Sequence, residues 1–220
     1  MKLILTYKKR AIHEGLMAGD FVKEKNGYIQ SETEILCNTF TEELSQQLFK
    51  EFALFLKHFM ASKQALSQGN QVEAHRLIFI AVQHWARISV IEEGEIPNRT
   101  IWRQVRNTDA GIIPLIKELT STTETLEQRI RLAYLACDFS VMSRLKYFCL
   151  PILHVMSCRA EPWSLKELSD HPQLKVFHSE LNMILKSLAR RSYIHEVFVV
   201  ADCQLEALEI RYSLDPWVPS

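Results

Sequence analysis

The sequence predicts a mainly α protein: an up-down helical bundle, then a winged-helix (α+β) domain, with a small irregular α/β segment at the N-terminus. Three observations carry this expectation. Between Thr41 and Cys158, apolar residues recur at three- and four-residue steps, the period of a helix face. After Ser164 the pattern changes to short helix, turn, amphipathic helix and two β-rich stretches, the order of a winged helix. Only six glycines occur in 220 residues, and none builds a phosphate-cradling G-x-x-x-x-G-K-S/T loop.

Residues 1–40 form the irregular part. KLILT reads as a short strand, RAIHEGLMAG as a short helix, and FVKEKNGYI as an extended pair around an Asn26-Gly27 turn. Thr41 then reads as an N-cap, with Glu42 and Glu43 in the first turn. Leu44, Leu48, Phe52, Phe55 and Phe59 make one apolar face, and Gly69-Asn70 ends that helix. The next helix runs from about Val72 to Glu93 and stops at Gly94. It is apolar on almost every side, which predicts the central position in the bundle. Asn98 or Thr100 caps TIWRQVRN, and a short helix follows near Ile112 to Leu119. Thr122 or Thr123 caps a long helix, LEQRIRLAYLACDFSVMSRLKYF, which Pro151 breaks or kinks.

Beyond it, Ser164 caps LKELSDH, with Glu167 three residues on as the second half of a capping box. Pro172 starts QLKVFHSELNMILKSLARR, whose apolar face is Leu174, Phe177, Leu181, Ile184, Leu185 and Leu188. YIHEVFVV and LEALEIRYSL, joined by a turn at Ala201-Asp202-Cys203, form the wing. Trp163 supplies a short strand to pair with it. The expected domains are therefore 1–40, 41–158 and 159–220.

Composition narrows the function classes. The chain is 47% hydrophobic and 24% charged, with formal net charge zero, so it lacks the basic excess of a strong nucleic-acid binder. No stretch approaches the roughly 20 uninterrupted apolar residues of a membrane span, so no membrane partner is expected. The start, MKLILTYKKR, lacks the pattern of a signal peptide. Cys37, Cys137, Cys149, Cys158 and Cys203 are odd in number and widely spaced, which predicts that most are small apolar core residues in a reducing, cytoplasmic setting, with no metal site. No cofactor is called for.

Four groups of residues invite a chemical reading. Glu32 and Glu34 could hold metal ions if they lay on a strand, where alternate residues share a face; otherwise they belong to a solvated helix start or loop. His84 and Arg87, with Arg76 and Gln83 on the same flank, could line a groove for a phosphate or carboxylate. The competing reading is a partly buried pair held by Glu73, a backbone carbonyl or an acid of the neighbouring helix. The seven residues between Arg76 and His84 do not fit the R-x(4–6)-H spacing of helical ribonucleases. Arg103, with Arg99, Trp102 and Arg106, makes a small basic and aromatic cluster; packing of Trp102 and Val105 would leave its arginines solvated or paired with Glu92, Glu93 and Glu95. The second winged-helix helix offers Lys175, His178, Asn182 and Lys186 to DNA. However, residues 160–220 hold six basic against nine acidic side chains, which disfavours phosphate neutralisation.

AHRLIFIAVQHWARISVIEEGEIP, TIWRQVR, LIKELTSTTETLEQRIRL, PWSLKELSDHPQL and LARRSYIHE occur in this order. Together they resemble a family of nucleotidyltransferase-like proteins from Gram-positive spore-forming bacteria. The resemblance implies three parts: a nucleotidyltransferase-fold domain, a helical domain like the substrate-binding bundle of such enzymes, and a winged helix. Residues 1–40 would then be the tail of the first part, in a truncated gene product or a degenerate member. The phosphate loop and metal carboxylates of such an enzyme have no matching positions here, so no catalytic residue carries over. The expectation is a non-catalytic protein whose bundle binds a small-molecule or nucleotide ligand or a partner protein domain. The alternatives are a winged-helix DNA-binding regulator, and nucleotidyl transfer only with a missing N-terminal domain.

Overall fold

A single helix of 38 residues, α1 (Gln30–Ser67), organises the molecule. At 1.5 Å per residue it is about 57 Å long. The structure, a computed structural model, describes residues 30–107, 111–120, 123–200 and 208–214, and within these the side chains of 30–42, 107, 200 and 208 are not described. The expected strand, helix and Asn26-Gly27 turn before Gln30 lie outside the described residues, as does the Ala201-Asp202-Cys203 turn.

The helix does not begin at Thr41. No glycine or proline occurs between Gly27 and Gly69, so nothing in residues 30–40 stops a helix from extending backward through Thr41. This also removes the strand reading of Glu32 and Glu34, because positions two apart on a helix are about 200° apart around its axis.

At Gly69, with φ +79°, the chain reverses into α2 (Gln71–Glu92). Asn70 caps α2 by accepting from the Glu73 N–H at 3.1 Å. Gly94, at φ +73°, follows its end. α2 is central, as its composition predicts: Ala74, Ile78, Ala81, Val82, Ala86, Ile88 and Val90 are all fully buried. α3 (Ile101–Gln104), a 3-10 turn (Val105–Asn107), α4 (Ile112–Thr120) and α5 (Leu126–Ser140) pack around it.

The α5 cap is Thr125, not Thr122 or Thr123; it forms a full capping box with Gln128. The expected long helix ends well before Pro151. Ser143 Oγ donates to the Phe139 carbonyl and Arg144 Nε to the Ser140 carbonyl, so side chains take over the carbonyls that a continuing helix would use. A 3-10 turn (Met142–Arg144), α6 (Leu145–Phe148) and α7 (Leu150–Met156) follow. Pro151 lies in the first turn of α7, where its missing N–H costs nothing, so it starts a helix rather than breaking one.

The bundle core is aromatic. Phe49, Phe52, Phe55 and Phe59 of α1 are buried. Phe52 stacks on Phe148 at 5.2 Å, and Phe59 meets Tyr134 edge-on at 5.7 Å. Burying each such side chain is worth roughly 1.5–3 kcal/mol.

The C-terminal part has the predicted winged-helix order. β1 (Trp163–Ser164) leads into α8 (Leu165–Asp170), a 3-10 turn (Lys175–Phe177), α9 (His178–Arg190), β2 (His195–Val200) and β3 (Leu208–Ser213). The regular α9 begins at His178 rather than after Pro172, and a 3-10 turn occupies the interval. Strand order is β1-β3-β2, with Trp163 opposite Tyr212 and Phe198 opposite Ile210. The Ser164–Glu167 capping box forms as predicted. Burial would raise the Glu167 pKa, but the Ser164 backbone N–H, the Arg159 guanidinium and the Ser164 hydroxyl outweigh it and hold the carboxyl at about 2.

This module sits on α1 through the start of α9. Phe177 meets Phe49 edge-on at 4.5 Å. Lys57 Nζ of α1 lies 2.8 Å from Glu180 Oε1, and the Glu180 side chain is only 9% exposed.

Candidate functional site

Beside its phenylalanine face, α1 carries Glu51, Leu54 and His58 at steps of three and four, so they lie on one side of the helix. Across from them α2 presents His84 and Arg87. His84 Nδ1 lies 2.7 Å from Glu51 Oε2. Arg87 reaches the other oxygen of the same carboxylate, Glu51 Oε1, at 3.9 Å. His58 stacks on His84, with ring centroids 5.4 Å apart and planes within 17°. His58 Nδ1 lies 2.8 Å from the Leu54 carbonyl.

These partners fix the imidazole tautomers. A carbonyl or carboxylate oxygen can only accept, so each Nδ1 carries its proton and donates. On His58, when the ring is neutral, Nε2 is then the acceptor. Burial, followed by the nearby His84, Lys57 and Arg76, holds His58 below the ordinary imidazole pKa, against the opposing pull of its Leu54 hydrogen bond. His58 is therefore neutral near pH 7.

Glu51 and His84 are mostly covered, at 14% and 15% side-chain exposure, whereas Arg87 keeps 32%. The strip thus consists of a pinned carboxylate, two oriented imidazoles and a guanidinium with donors turned to solvent. Arg87 has no shorter ion pair among the described residues.

The structure brings together only part of the predicted set. His84 and Arg87 share Glu51, an acid of the neighbouring helix. Gln83 is half-buried next to His84 in the chain. Arg76 is exposed and clamps Glu73 with two hydrogen bonds of 2.8 and 2.6 Å, so its charge is already answered. Arg103 is exposed on α3 and joins none of these contacts. Its neighbour Trp102 packs edge-on against Phe79 at 5.8 Å. Glu92, one expected partner of that arginine cluster, instead holds Arg144 at 2.6 Å. Glu51 and His58 were not singled out from the sequence. Their seven-residue spacing on α1 was the available signal, but it gains meaning only once the register of α1 against α2 is known.

Of the predicted DNA-contacting residues, Lys175, His178, Asn182 and Lys186 are all exposed. Asn182 and Lys186 line a groove between α9 and Met60 of α1, together with Ser179, Met183, Ser187 and Arg190. Lys175 and His178 do not line it. The wing faces solvent with Phe198 and Ile210, which are 64% and 42% exposed. Its Arg211 is tied to Glu209 at 3.0 Å. Among the described residues, no helix is long and apolar enough to cross a membrane.

A helical bundle carrying a polar strip, joined to a helix-turn-helix with a wing, defines the class of fold. Residues 45–144 match the family model of the YgxA-like substrate binding domain, and residues 151–202 match that of a helix-turn-helix domain. The chain is 28% identical over 204 residues to YgxA of Bacillus subtilis (strain 168), a match that covers 92% of this chain and 67% of the relative. It superposes with TM-score 0.73 and 26% identity on the crystal structure of a nucleotidyltransferase-like protein from Exiguobacterium sibiricum 255-15, covering 96% of this chain and 72% of that one. The chain is thus similar to YgxA and to a nucleotidyltransferase-like protein, with a match to a YgxA-like substrate binding domain followed by a match to a helix-turn-helix domain.

Proposed function

We propose that this chain supplies the ligand-holding and scaffolding part of a nucleotidyltransferase-like protein, and that its bundle binds a small ligand or a partner domain along the Glu51–His58–His84–Arg87 strip. The observation that carries this reading is the half-answered Arg87. A guanidinium one third exposed, at 3.9 Å from a carboxylate that His84 already holds at 2.7 Å, retains donors for an incoming carboxylate or phosphate. The neutral His58 imidazole adds an acceptor for a hydroxyl on the same molecule. A nucleotide, with phosphates and a ribose diol, has both kinds of group.

The strip has no role in nucleotidyl transfer itself. That chemistry needs carboxylates close together on a rigid element to hold two metal ions. Glu51 is a single carboxylate committed to His84.

Calorimetric titration of the chain with ATP, with and without magnesium, tests this reading. Saturable binding that weakens at least tenfold in Arg87→Ala supports it. Absence of binding at millimolar ATP, or equal binding by Arg87→Ala, contradicts it.

A DNA-binding regulator is the second reading, favoured by the helix-turn-helix match over residues 151–202. The Lys57–Glu180 bridge, the Phe49–Phe177 contact and an acidic, apolar wing weigh against it: one end of α9 is already engaged by α1. A mobility shift that appears at low salt and fades with added salt would support DNA binding. No shift at micromolar protein would remove it.

A further inference from the structure

We propose that the groove between α9 and α1 is a second, separate binding site that takes the phosphate or pyrophosphate group of a small ligand. The groove has a volume of about 240 Å³. That lies below the range that encloses a drug-sized molecule, so it accommodates a phosphate-sized group and part of whatever carries it.

Its lining has the chemistry for such a group. Lys186 and Arg190 are one helical turn apart and both exposed, and neither has an ion pair among the described residues. Asn182 adds an exposed amide one turn earlier. Ser179 Oγ donates to Glu180 Oε2 at 2.6 Å and Ser187 Oγ donates to the Met183 carbonyl at 2.8 Å, so both hydroxyl protons are committed and the gripping falls to Lys186, Arg190 and Asn182. Met60 and Met183 form an apolar floor that adapts to the rest of the ligand.

The geometry favours a small occupant over duplex DNA. α1 contributes Met60 to the groove and is anchored to the start of α9 through Lys57–Glu180 and Phe49–Phe177. A duplex docking along this face of α9 would have to lie beside Met60 of α1. Lys186 and Arg190 also stand near the C-terminal end of α9, where the helix dipole repels anions. Side chains, not backbone N–H groups, must therefore do the gripping, and truncating them should abolish binding.

The test is titration of the full chain with pyrophosphate at low salt, in wild type, Lys186→Ala, Arg190→Ala, Asn182→Trp and Arg87→Ala. Residues 182, 186 and 190 are exposed, so these changes leave the fold intact, which circular dichroism checks. The expected result is micromolar-to-millimolar binding at a site that is weakened at least tenfold by each α9 variant and that persists when the α1–α2 strip is disabled by Arg87→Ala. Asn182→Trp should act by filling the groove. Binding that only Arg87→Ala weakens would place the anion on the α1–α2 strip and overturn this proposal while sparing the function proposed above. No binding, or binding of a 20-base-pair duplex that pyrophosphate fails to displace, would also overturn it.

Discussion

Two of the polar contacts of the long helix α1 treat charge differently. Toward α9, Lys57 meets Glu180 at 2.8 Å, with Ser179 Oγ on the second carboxylate oxygen at 2.6 Å. Burial would push the Glu180 pKa up, but Lys57 and Ser179 hold it below its ordinary value. That contact is complete, and it joins two parts of the chain. Toward α2, Glu51 is divided between His84 and a more distant Arg87. That contact is incomplete, and the surplus donors face water. A closed polar contact specifies how elements dock, whereas an open one is available to something else.

The largest expected effect lies beneath both contacts. Phe52→Ala removes a fully buried ring stacked on Phe148 and should cost about 3–5 kcal/mol by urea denaturation. It should destabilise the bundle without regard to either polar contact. If unfolding instead splits into two transitions, the α9 joint is too weak to couple the two parts.

The closed contact comes next. Lys57→Ala leaves the buried Glu180 carboxylate with Ser179 alone and should cost about 1–2 kcal/mol, since Lys57 itself is half exposed. Lys57→Ala/Glu180→Gln should recover part of that loss. A double-mutant cycle with no coupling would show that the joint rests on Phe49–Phe177 alone.

Smaller still is the cap of α8. Ser164→Ala should cost about 1 kcal/mol. The same box carries a pH signature. The folded Glu167 pKa, at about 2, lies below its ordinary value of 4.5. Its stabilisation is therefore full above pH 4.5 and is lost as pH falls from there toward 2. An NMR titration of the Glu167 carboxyl should show the low midpoint; an ordinary midpoint would mean that Arg159 and the capping hydrogen bonds do not hold it in solution.

The open contact should have the smallest effect on stability. Arg87→Ala should change unfolding free energy by no more than about 0.5 kcal/mol, because the pair is long and part-exposed. A loss of 2 kcal/mol or more would make Arg87 a structural residue and close the gap between the two contacts.

Much of the fold was legible in the sequence because its signals are local. The Ser164–Glu167 box, the glycine ends at 69 and 94, the central α2 and the pairing of Trp163 with the wing all follow from spacing and turn chemistry. The errors have local causes too. Thr41 has the composition of a cap but sits inside a run without a breaker, and Pro151 was read as a breaker where it serves as a first-turn residue. The site was legible only in halves. His84 and Arg87 stand out as polar residues in an apolar helix, but their meaning depends on Glu51 and His58, which are 33 and 26 residues away from His84 and are brought near by packing. Periodicity gives the face of each helix; it does not give the register of one helix on another.

The central claim is that the open strip between α1 and α2 is where this protein meets its ligand. Amide chemical-shift mapping during ATP titration tests it most directly. The account predicts a contiguous set of shifts at Glu51, His58, His84 and Arg87, lost in Arg87→Ala, whatever occurs along α9. A titration that saturates without moving any of those four amides would contradict it.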